Sequence, residues 1–175
     1  MSTEVIFFTF LVTTSAAFFD LRTRRIPNAL PLVACAFALA WHTWQGGPEG
    51  FWTSLGGLGA GVAFMLPGWL LRFTGGGDVK LLAAVGSLLG PATVVHAFVL
   101  SILAGAIIAA VYGLYAWARL GAASPVPRYG SMIALFLSTG RLSYARPSDG
   151  EAMGRRFPLA PAIAIGSVVA AIWFP

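Results

Sequence analysis

Two aspartates, Asp20 and Asp78, stand at the edges of apolar runs in a chain with only 6 acidic residues. Asp78 follows Gly75-Gly76-Gly77 and precedes Val79-Lys80-Leu81, which opens a long apolar stretch. An ionisable group at the lip of a hydrophobic segment is costly to keep there and points to function. Three glycines let the backbone take positive φ and let another chain come close. Asp78 also has a purely structural use, capping the helix that begins there. Asp20 has one too, as a headgroup-level residue paired with Arg22 or Arg24, an exposed pair worth little. Two carboxylates at similar depth offer more than two caps. Like charges a few ångströms apart resist ionising together, so such a pair shares one proton. The ionised member draws a proton from water while the protonated one polarises a carbonyl, which is aspartic-protease chemistry.

The rest of the chain must hold these two acids. Of its 175 residues 58% are hydrophobic and 10% charged, and the mean hydropathy is +0.81. A soluble domain carries roughly 25% charged residues, so this composition describes an integral membrane protein, read as one domain over residues 1–175. The net charge of +5 does not indicate nucleic acid. The arginines sit in loops between apolar spans, where anionic headgroups and membrane orientation account for them. Cys35, the lone cysteine, lies in an apolar span and supports neither an internal disulfide nor a thiolate metal cluster. The first residues, Met1 to Glu4, lack a basic n-region, so the first apolar stretch reads as a retained helix.

A span needs roughly 20 apolar residues. The first runs from Val5 to Leu21 and ends in Asp20-Leu21-Arg22-Thr23-Arg24-Arg25. Ile26-Pro27-Asn28 is a turn with proline placed to open the next helix, which reaches Trp44. Trp41 and Trp44 fit interfacial anchors. After a Gly/Pro loop from Gln45 to Gly50, a third span runs from Phe51 to Leu71. Its glycines (Gly56, Gly57, Gly59, Gly61) form a small-residue face for close helix packing. Val79 to Trp117 is long enough for two spans, with Gly90-Pro91 as the natural break. The fourth helix is then short, so either the turn lies a few residues later or Asp78 sits somewhat below the membrane surface. Arg119 to Arg156 is a polar connection in which Ser131 to Thr139 is apolar but too short to cross, so a surface-lying or re-entrant piece is expected. Phe157 to Phe174 is the last span.

The expected fold is therefore all-α, with six transmembrane helices. On that count all 11 basic residues, from Arg22 to Arg156, fall in the 1–2, 3–4 and 5–6 connections. Basic loops face the cytoplasm, so both termini are expected in the periplasm and both Asp20 and Asp78 at the cytoplasmic face.

The stretches Asp20 to Asn28 and Gly75 to Leu81 resemble the two signature segments of the type IV prepilin peptidases, membrane aspartic proteases of the Gly-x-Gly-Asp type. Phe157-Pro158-Leu159-Ala160-Pro161-Ala162-Ile163-Ala164 is similar to the family's final helix, with Leu159 and Ala160 where an aromatic residue and glycine are often found. The resemblance implies removal of the basic leader from type IV pilin-like precursors at the cytoplasmic face of the bacterial inner membrane. Asp20 and Asp78 match the catalytic pair, and the prepilin precursor and the bilayer are the implied partners. Larger members carry an N-terminal cysteine-containing region and also methylate the new N-terminus. Without that region the chain looks like the short form of Flp-type, tight-adherence systems.

Gly75, Gly76 and Gly77 are expected to admit substrate backbone, and Lys80 to hold substrate, tune the pair or snorkel. Asn28 is expected to cap the local helix start or to bond within its own turn. His42 and His96 belong to the far half of the bundle, and no His-Glu-x-x-His or Gly-x-Ser-x-Gly motif occurs, so neither a zinc nor a serine protease is supported, and no cofactor is expected. The rival class is a small proton or cation carrier, or an assembly scaffold. Carriers place their acids near the midplane and show repeats, whereas these acids sit at one end.

Overall fold

Gly47 and Gly90 are where the long apolar runs of this chain change direction. Each takes a positive φ, +58° and +81°, which side-chain-bearing residues rarely adopt. Each is followed by proline, Pro48 or Pro91, whose fixed φ and missing N–H suit the start of a new helical arm. The computed structural model describes residues 2–71, 74–120, 126–140, 145 and 158–174. Among them run α1 (Thr3–Thr23), α2 (Ala29–Leu70), α3 (Gly76–Leu120), α4 (Val126–Thr139) and α5 (Ala160–Trp173). α2 and α3 are each two helical arms joined at a single glycine, so two of the expected connections shrink to one residue inside a continuous run. The all-α class stands, and α1, α2 and α3 are long and apolar enough to cross a membrane.

Residues 1–106 and 158–175 form one compact unit. Its centre is the first arm of α3, where residues 81 to 90 are all buried. This segment is apolar on every side, as a helix surrounded by others must be. The second arm of α2 runs antiparallel to it at backbone contact. A Cβ on Gly57 would strike the Gly86 carbonyl, and one on Gly61 would strike the Leu82 carbonyl. Small residues four apart give one flat strip, and that strip lets two backbones touch. Of the four glycines expected on this face, Gly57 and Gly61 are buried on it, while Gly56 and Gly59 are exposed. Ser54 closes the seam, bonding the Ser87 hydroxyl at 2.7 Å and its carbonyl at 3.0 Å.

The second arm of α3 returns antiparallel to α5. Gly166 meets the backbone of Ser101, Gly105 faces Leu159 and Ala162, and the Thr93 hydroxyl donates to the Phe174 carbonyl at 3.1 Å. α1 packs along α5 and against α2, where Phe8 stacks on Phe37 and Phe37 on Trp41. Trp44, by contrast, is exposed. Cys35 is half-buried and packs against the core.

The second unit, residues 107–157, holds the end of α3 and α4. α4 is a 14-residue amphipathic helix, too short to cross a bilayer, over the stretch expected to lie at a surface. Val126, Tyr129, Ile133, Phe136 and Leu137 are exposed along it. Arg72, Arg141, Arg146, Arg155, Arg156 and Phe157 lie outside the described residues.

Candidate active site

Asp20 occupies the last turns of α1, and the helix ends four residues later at Arg24. That residue is left-handed (φ 55°) and returns its N–H to the Asp20 carbonyl at 3.0 Å. This αL cap stops α1 just past the acid and turns the chain towards α2. The carboxylate of Asp20 is half-buried and accepts the backbone N–H of Ala160, the first residue of α5, at 3.3 Å. Helix N-termini carry unsatisfied N–H groups and the positive end of the helix dipole, so α5 offers Asp20 a partner suited to negative charge.

Asp78 sits in the first turn of α3, also half-buried. Its Oδ2 accepts the N–H of Gly75 at 3.0 Å, while the Asp78 and Val79 N–H groups bond back to the Gly75 carbonyl. Gly75 is thus the N-cap and Asp78 the third helical residue reaching back to it, the acidic half of a capping box. The structural use foreseen for Asp78 is real, but it consumes one oxygen. Each aspartate therefore spends one oxygen on a backbone N–H, and among the described residues no hydrogen bond is made by the other. Asp20 lies close enough to Asp78 to act on it electrostatically.

The three glycines before Asp78 have three different neighbours. A Cβ on Gly75 would stand 3.1 Å from the Asp78 Oδ2, one on Gly76 would stand 3.4 Å from the Trp69 indole nitrogen, and one on Gly77 would stand 3.5 Å from the Ile26 side chain. Trp69, at the end of α2 and 48% exposed, was not foreseen at this site. Only its place seven residues before Gly76 could have suggested it. Lys80 gives its ammonium to the Asn28 Oδ1 at 2.9 Å, and Asn28 makes no side-chain cap on its own helix, contrary to the local cap expected of it.

Among the described residues, the histidines and glutamates lie elsewhere. His42 bonds the Leu88 carbonyl at 2.9 Å beside the Gly90 break, and His96 stacks on Phe174 at the far end of α5. Glu4 opens α1 and Glu49 follows the Gly47 break. No group of three His, Cys, Asp or Glu side chains comes together among the described residues.

The described fold is that of a helical membrane protein in which Asp20 and Asp78, each bonded to a backbone N–H, lie near each other. A model of the type IV leader peptidase family matches residues 6–110, and the chain belongs to that family. It is 29% identical over 178 residues to the prepilin leader peptidase/N-methyltransferase of Bacillus subtilis (strain 168), an alignment covering 97% of this chain and 54% of that protein. The chain thus spans about half the length of this curated relative. No solved structure matches it.

Proposed function

We propose that this chain is an aspartic endopeptidase that cleaves the leader from type IV pilin-like precursors at the cytoplasmic membrane face, with Asp20 and Asp78 as its catalytic pair. The observation that carries the reading is the pair itself. Two carboxylates, each held by one backbone N–H and within electrostatic reach of each other, occupy one end of a bundle in a chain of the type IV leader peptidase family.

The chemistry needs one water and one proton shared by the pair. The ionised carboxylate takes a proton from water as the water oxygen attacks the scissile carbonyl carbon. The protonated carboxylate gives its proton to the carbonyl oxygen. As the tetrahedral intermediate collapses, the C–N bond breaks and the protonated carboxyl gives its proton to the leaving amine. The ionised carboxylate takes a hydroxyl proton from the intermediate, which restores the shared proton. The N–H groups of Gly75 and Ala160 hold the carboxylates in place, so that little reorganisation is needed at the moment of reaction.

The arms of α2 and α3 support six crossings, with turns at Gly47 and Gly90 on the side away from the pair. With the basic loops at the cytoplasm and both termini in the periplasm, the pair meets a basic leader on the side where it is made. We further propose an Flp-type pilin as substrate, to be compared with other type IV pilin precursors. Incubating the purified protein in detergent with a panel of leader-bearing precursors tests the reading. Cleavage at the leader junction by the wild type, lost in Asp20→Asn and Asp78→Asn, is the expected result. A carrier or scaffold would leave every precursor intact.

A further inference from the structure

Lys80 and Asn28 are 52 residues apart in sequence and hydrogen-bonded at 2.9 Å. Lys80 lies two residues after Asp78, and residues two apart on a helix do not face each other, so its ammonium is directed away from the acid it follows. Lysine has only donors and therefore takes the amide oxygen of Asn28. Asparagine before a helix ordinarily spends that oxygen on the N–H groups of the first turn. Here it makes no such bond, and the start of α2 gives up its cap to a residue on α3. A second contact lies alongside, where Ile26 packs over the bare face of Gly77. Ile26 and Asn28 belong to the short turn that follows the Asp20 end of α1, and Gly77 and Lys80 flank Asp78.

We propose that the Lys80–Asn28 bond, with Ile26 seated on Gly77, is a clasp that sets the register between the segment carrying Asp20 and the helix carrying Asp78. Lys80 and Asn28 are then positioning residues of the peptidase, an assignment that rests on the catalytic reading of the two aspartates. An exposed bond of this kind adds little to stability. Reaction rate is far more sensitive, since a misplacement of about 1 Å costs roughly 10²-fold. A weak bond between the two acid-bearing segments therefore acts on turnover while leaving the fold in place.

The test measures kcat and KM on a leader-bearing precursor for Lys80→Met, Asn28→Ala and the double variant, per unit of folded protein. Each single variant should lose roughly 10- to 100-fold in kcat with KM within about twofold. The double variant should fall no further, because both remove one bond. Lys80→Arg and Asn28→Asp keep a donor and an acceptor in place and should recover most of the loss. A raised KM with unchanged kcat would make Lys80 a substrate contact and overturn the clasp, as would losses that multiply in the double variant. A second measurement does not depend on cleavage. With Cys35→Ala, the pair Asn28→Cys and Lys80→Cys should be joined in membranes by a short bifunctional maleimide, faster than Asn28→Cys with Gly59→Cys. No preference for the first pair overturns the clasp whatever the enzyme does. A wild type that cleaves no precursor, with cross-linking intact, refutes the peptidase reading and with it the positioning role, while leaving the contact.

Discussion

Ala160 donates its backbone N–H to the Asp20 carboxylate across 3.3 Å, tying the first helix of the chain to the last. The two residues are 140 positions apart, and the bond forms because α5 starts where α1 is about to end. On the proposed function, the C-terminal helix is thus part of the site. Replacing Ala160 with lactic acid, which substitutes an ester for the amide, removes the N–H without changing shape. We expect kcat to fall roughly tenfold or more while thermal stability changes by about 1 kcal/mol, the net worth of one such bond. Unchanged turnover would show that the contact is not used in catalysis.

The glycines before Asp78 give a graded series. A methyl on Gly75 would press on the carboxylate oxygen at 3.1 Å and move the acid, so Gly75→Ala should lose most activity. On Gly76 or Gly77 the same methyl meets ordinary contact with Trp69 or Ile26, and alanine should leave activity within a few fold. Gly77→Val adds methyls that must displace Ile26, so processing should fail with the protein still folded and inserted. Equal cleavage rates for the Gly75→Ala and Gly76→Ala variants would contradict this ordering.

Much of this was legible in the sequence. Gly47-Pro48 and Gly90-Pro91 mark the breaks because glycine supplies the positive φ and proline cannot continue the previous hydrogen-bond ladder. The short fourth helix implied by a break at Gly90 is what the first arm of α3 is. What periodicity could not give were contacts between distant segments. Ala160 at Asp20, Asn28 at Lys80 and Trp69 beside Gly76 depend on which helix ends meet, and apolar patterning fixes faces rather than partners. The glycines illustrate the limit. Which side chain stands beside each, Asp78, Trp69 or Ile26, could not be read from the run itself.

Packing of the central helix makes its own prediction. Gly57 and Gly86 touch backbone to backbone, so a Cβ on either has nowhere to go. Gly57→Ala and Gly86→Ala should each lower stability in detergent by roughly 1–3 kcal/mol, the usual cost of overpacking, or prevent folding. Gly59→Ala, which meets open space, should be neutral or slightly stabilising. Thermal unfolding of the three variants separates the outcomes, and equal midpoints for Gly57→Ala and Gly59→Ala would refute the contact.

The aspartates themselves admit the sharpest test, because the structure separates their structural bonds from their chemistry. Asparagine keeps a carbonyl oxygen that can accept the Gly75 N–H in Asp78→Asn and the Ala160 N–H in Asp20→Asn. Both variants should therefore fold and insert normally, while neither can share a proton. If the two act as one unit on one water, each single variant should lose roughly 10³-fold or more in kcat, and the double variant should be no worse. A pair that only caps helices would tolerate both changes with near-normal cleavage. The pH profile supplies an independent check. Activity requires one proton on the pair, so the rate should rise with pH as the first proton leaves and fall as the second leaves. The two apparent constants belong to the pair rather than to either residue. A profile with a single limb across the whole accessible range, or substantial cleavage by either asparagine variant at normal protein level, would remove the shared-proton mechanism.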